Sequence, residues 1–115
     1  MSSSADPHRL RPTVQEQSDI LAEQRGQCLY CGNVFGDVVV RHKTGKHTVL
    51  KLHWDHLIPW VYSQDGRAQN FVASCHVCNG IKGSLVFETI TEVRDYVQKQ
   101  WRAKLIELAT EYQVR

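Results

Sequence analysis

Cys75-His76-Val77-Cys78-Asn79-Gly80-Ile81-Lys82-Gly83 sets two thiols two residues apart and follows them with an amide, a lysine and two glycines. A two-residue spacer lets one turn of backbone present both sulfurs to a shared edge of a metal tetrahedron. The other two cysteines repeat that spacing in Cys28-Leu29-Tyr30-Cys31-Gly32-Asn33, where the glycine frees the backbone to turn. The two knuckles together make one four-thiolate shell, the preference of structural zinc, with no open position for water. Such a site contributes on the order of 10 kcal/mol to folding. His76 then reads as an exposed knuckle histidine. A redox dithiol fits less well, because neither pair follows a thioredoxin-like strand-to-helix pattern.

Forty-three residues separate Cys31 from Cys75, more than a compact zinc ribbon uses, so the insert must carry a task of its own. Within it, Trp54-Asp55-His56-Leu57-Ile58-Pro59 puts a carboxylate beside an imidazole at a strand end. Adjacent strand residues point to opposite faces, so one can hold a metal while the other handles a proton. By the same alternation His53 shares a face with Asp55, in reach of substrate or metal. Hydrolysing a phosphodiester needs a base, a cation at the phosphate and a means of positioning both. Asp55, His56 and Asn79 are residues of the right types.

The flanking sequence supplies the elements. Residues 1–11 read as a flexible polar leader and residues 12–115 as one domain, since 115 residues suit a single core. Thr13 and Glu16 stand at capping-box spacing and Gly26 supplies a stop, which predicts a helix over 13–25. Residues 38–41 and 48–55 are rich in β-formers around a turn at 43–46, so the second strand is expected to run straight into Asp55-His56. Residues 57–69 read as a loop, 71–73 as a short strand and 75–83 as a knuckle turning into a short helix. From a Thr89/Glu92 capping pair, Ile90, Val93, Val97, Trp101, Leu105, Leu108 and Tyr112 recur at helical steps and predict one long helix over about 90–112.

The formal charge of +2 conceals a basic strip, Arg41, His42, Lys43, Lys46, His47, Lys51 and His53. Such a strip attracts phosphates, or guards a hairpin edge against aggregation. The N-terminus has no signal-peptide pattern and no apolar run reaches membrane-spanning length, so the chain reads as cytoplasmic with no membrane partner. A reducing compartment favours metal over disulfides for paired cysteines.

Taken in order, Cys28-x-x-Cys31, Asp55-His56-Leu57-Ile58-Pro59, Asn70 and Cys75-x-x-Cys78-Asn79-x-x-Lys82 resemble the HNH endonucleases, a branch of the His-Me finger (ββα-metal) superfamily, over about residues 28–84. The resemblance implies an α+β fold: a ββα-metal core with a four-cysteine zinc site, flanked by N-terminal and long C-terminal helices. It implies cleavage of DNA, with RNA left open. His56 would be the general base, Asp55 and Asn79 the ligands of one divalent ion, and Asn70 a residue orienting the His56 segment. Lys82, His53, Arg41 and Lys43 are the expected substrate contacts, Lys82 as a point charge on phosphate. Asn79 stands where many members have histidine, and a carboxylate with an amide oxygen suits Mg2+ or Mn2+. The loop after Pro59 lacks the family's common Gly-Gly. Two other readings stand beside it: a non-catalytic zinc module that binds nucleic acid, which keeps the cysteines and the basic strip but needs neither Asp55, His56 nor Asn79, and a partner-dependent nuclease subunit of a phage or defence complex.

Overall fold

A computed structural model describes residues 11–57 and 70–112. The expected leader, apart from Arg11, and the expected loop, apart from Leu57, lie outside these residues. Helix α1 (Val14–Glu23) starts on the predicted capping box, with Thr13 Oγ1 accepting from the Glu16 N–H and Glu16 Oε1 accepting from the Thr13 N–H. It ends in two successive left-handed residues, Arg25 and Gly26, which swing the chain toward Cys28. Just past its end, the Gln24 side-chain amide pairs with both backbone groups of Ala73, at 2.8 and 3.1 Å.

Strands β1 (Val38–Arg41) and β2 (Lys46–Val49) form the expected hairpin, with Gly45 at φ +74° in the turn. The second strand does not run on into Asp55-His56 as expected from the sequence; it breaks at Leu50-Lys51, and β3 (Leu52–His56) belongs to a different sheet. The cause is Leu50, only 1% exposed, whose N–H donates to the Asp37 carbonyl and whose carbonyl accepts from Gly36 N–H. Burying that side chain bends the strand out of the exposed hairpin and sends the next five residues to β4 (Phe71–Cys75), which β3 pairs antiparallel in the register His56↔Phe71 to Leu52↔Cys75. Every residue of β4 is buried.

Cys75 caps helix α2 (His76–Lys82), and Gly83 closes it. Helix α3 (Ile90–Ala103) starts on the Thr89 cap and buries Val93, Val97 and Trp101, the first half of the predicted stripe. The expected helix to about 112 ends at Ala103: Leu105 takes φ +54°, and residues Ile106–Leu108 form β5, which pairs antiparallel with β1. Pairing there buries Ile106 to 4% and satisfies the second edge of β1. Leu105 and Leu108, placed in the stripe by periodicity, are half-exposed. A single 3-10 turn, Thr110–Tyr112, follows.

The order β2-β1-β5 makes one antiparallel sheet and β3-β4 another, so the architecture is α+β, consistent with a ββα-metal core in which β3, β4 and α2 are the ββα unit. Tyr30, Val39, Leu50, Val72, Val77, Val93, Val97, Trp101 and Ile106 pack with the cysteines into one core. Among the described residues no helix is long and apolar enough to cross a membrane.

Candidate active site and metal centre

The first knuckle folds on itself, with Gly32 at φ +76° donating its N–H to the Cys28 carbonyl. The second is formed where β4 turns into α2, and two backbone N–H groups there point at sulfur: Cys75 N–H at Cys28 Sγ (3.2 Å) and Cys78 N–H at Cys75 Sγ (3.4 Å). All four Sγ atoms lie within 4.8 Å of one another, and Cys31 and Cys75 are 3.9 Å apart. Zn–S bonds of about 2.3 Å in a tetrahedron space sulfurs about 3.8 Å apart, so the cluster has the dimensions of a zinc site. None of the four is in a disulfide. Hydrogen bonding among the four sulfurs lowers the Cys28 and Cys31 thiols and raises those of Cys75 and Cys78, as expected of thiols crowded into one cluster. His76 turns its Nδ1 toward Lys51, whose N–H donates to it at 3.1 Å, in keeping with a shell completed by cysteines alone.

Strand β3 carries the acid and the imidazoles. Asp55 is largely enclosed, its side chain 13% exposed, and its Oδ2 accepts from the Tyr30 hydroxyl at 2.7 Å and pairs with Lys82 Nζ at 3.3 Å. Burial, then the charge of Asp55, pushes the Tyr30 phenol well up, so it stays protonated and donates. Lys82, expected on phosphate, has a side chain that is 1% exposed, and its ammonium lies between the Asp55 carboxylate and the His56 carbonyl (3.3 Å). A buried ammonium held by an acid and a carbonyl cannot reach a substrate without leaving both.

His56, half-buried, rests its ring on Phe71, with centroids 4.6 Å apart at 39°. Asn70 is buried, and its carbonyl accepts the Leu57 N–H at 2.7 Å, tying it to the residue after His56. Asn79 sits on α2, whose packing against β3 and β4 brings its Nδ2 within 3.3 Å of His53 Nδ1. With His53 as the Nε2–H tautomer, Asn79 donates through Nδ2 and its Oδ1 is left for a cation. The strand end and the short helix thus bring Asp55 to Lys82 and His53 to Asn79, while His56 meets Lys82 through its backbone carbonyl. Of the hairpin residues, Arg41 ends β1 and is half-buried, while Lys43 is exposed in the turn.

Tyr30 escaped sequence reasoning altogether. An aromatic residue between two knuckle cysteines reads as packing, and nothing local says that its hydroxyl meets an acid 25 positions away. His76 has its basicity lowered by burial first and then by His53, Lys51 and Arg41, which marks positive charge gathered on this side of α2.

The family model described as HNH endonuclease matches residues 28–85, half of the chain. The chain belongs to the HNH endonuclease family. The match contains both knuckles, β3, β4 and α2, while α1, α3 and β5 lie outside it. No curated protein matches the chain.

Proposed function

We propose that this single HNH domain is a metal-dependent endonuclease that hydrolyses phosphodiester bonds in DNA. The observation that carries the reading is the meeting of β3 and α2, where Asn79 reaches His53 on the same strand as Asp55 and His56. Neutral His56 takes the proton from water as its oxygen attacks phosphorus and the P–O bond to the leaving strand breaks. Tyr30 and Lys82 fix the direction of the Asp55 carboxyl group. Asp55 and Asn79 offer hard oxygen donors for Mg2+ or Mn2+, which would neutralise charge developing on the phosphate oxygens. The cysteine cluster would hold structural zinc and take no part in the reaction. Arg41 at the end of β1, Lys43 in the hairpin turn and His53 on β3 would serve as substrate contacts.

Supercoiled plasmid incubated with the zinc-loaded protein should be cut with Mg2+ or Mn2+ and left intact with EDTA. His56→Ala and Asn79→Ala should each lose about 100-fold or more in rate while keeping zinc and fold. A wild-type protein that leaves DNA intact under every metal condition, or a His56→Ala variant that cuts equally well, would defeat the assignment. One observation favours a second reading, a non-catalytic zinc module that binds nucleic acid: Asp55 Oδ2 is already occupied by Tyr30 and Lys82. That module would bind DNA without metal-dependent cutting.

A further inference from the structure

A cavity of about 360 Å³ opens between the end of β1, α2 and α3, lined by Arg41, His76, Gly80, Tyr96, Gln100 and Lys104 among others. No acidic residue is in that lining. The cations come from three elements. Arg41 is fixed at the strand end by pairing with Lys46 and Ile106, His76 opens α2, and Lys104 caps α3. A lysine at a helix C-terminus is favoured by the helix dipole alone, but the dipole does not explain why an arginine and an imidazole from other elements meet it there. The nearest acid on the adjoining strand, Glu107, is engaged by His42 at 3.3 Å. Because the Lys51 N–H occupies His76 Nδ1, Nε2 is the ring nitrogen left to donate. At Gly80 a Cβ would meet nothing within 4 Å, so this wall is open to a ligand.

The cavity borders the candidate site through His76. The His76 and His53 rings are 6.1 Å apart, and His53 lies 3.3 Å from Asn79. We infer that the cavity is a phosphate subsite for the backbone of duplex DNA flanking the cleaved position, with Arg41, Lys104 and His76 as its donors. The inference rests on the phosphodiester reading above and extends it to α3, which lies beyond the family match. Arg41 supplies a planar fork suited to phosphate oxygens, Lys104 a mobile point charge, and His76 a ring N–H at the cavity wall.

Binding of a labelled duplex, followed by anisotropy between 50 and 200 mM salt with the zinc-loaded His56→Ala protein so that nothing is cut, tests it. Each lost phosphate contact lowers the log–log salt slope by about 0.9, so Arg41→Gln/Lys104→Gln should flatten it by about 1 to 2 and weaken binding about tenfold. The charge-matched control Lys99→Gln/Arg102→Gln, on exposed positions of α3 outside the cavity, should change the slope much less. Equal slopes for the two double variants overturn the subsite. So does binding of inorganic phosphate to the wild type as tight as that of the duplex, or a slope change seen with RNA and absent with DNA. If plasmid is never cut but the slope still falls, hydrolysis fails and the subsite stands. If cutting proceeds and the slope does not move, the subsite alone falls.

Discussion

Asp55 is held by two donors of different kinds, a phenol from the first knuckle and an ammonium from the helix after the second. The pair with Lys82 is enclosed, so removing one partner strands the other's charge. Lys82→Met should cost about 3 kcal/mol, whereas Tyr30→Phe, which deletes one hydroxyl and leaves the ion pair, should cost about 1 to 2 kcal/mol. Urea unfolding of the zinc-loaded variants reads both. A Lys82→Met protein as stable as wild type would mean that the ammonium is not held as described. The cysteine cluster was legible from spacing, because a metal shell restricts which side chains can serve and how far apart they stand. The inward direction of Lys82 was not. On a short polar helix, only packing against β3 and the arrival of Tyr30 decide which face closes.

At the scale of elements, α1, the hairpin, β4 and α2 follow signals carried within a few residues: a capping box, a turn glycine, a knuckle. Two boundaries do not. The break at Leu50-Lys51 has no glycine or proline to announce it, and arises because the chain changes sheets to bury one leucine. The end of α3 is equally silent, since Leu105 and Leu108 keep the helical period while β1 offers an open edge that Ile106 takes. Propensity gives way there to a long-range partner. Leu105 at φ +54° provides the test. Leu105→Gly should leave stability unchanged or raise it by up to about 1 kcal/mol, because glycine adopts that backbone without strain. In a helix continuing through 105 the same change would lower stability by about 1 kcal/mol. The sign of the shift in the thermal midpoint separates the two.

For the molecule as a whole, the cysteine cluster joins two segments far apart in the chain, beside the Gln24–Ala73 pairing that links the same segments. Cys28→Ser should release zinc and lose the cooperative fold, while His56→Ala should keep both. Elemental analysis with circular dichroism checks this, and a folded, zinc-free, active Cys28→Ser protein would remove the clamp from the argument. The hydrogen bond from Tyr30 to Asp55 adds a link, because the same knuckle that binds metal also steadies the acid.

The separation of the knuckles has a consequence during synthesis. Cys31 and Cys75 are 44 positions apart, and a ribosome adding about 5 to 20 residues each second takes about 2 to 9 s to cover that distance. Until then a nascent chain has two sulfurs, Tyr30 and Asp55, but neither Asn79 nor Lys82. A chain stalled before Cys75 therefore lacks half of both sites. The emerging polypeptide holds its carboxylate and imidazole in an unassembled strand until the last pair of thiols leaves the exit tunnel.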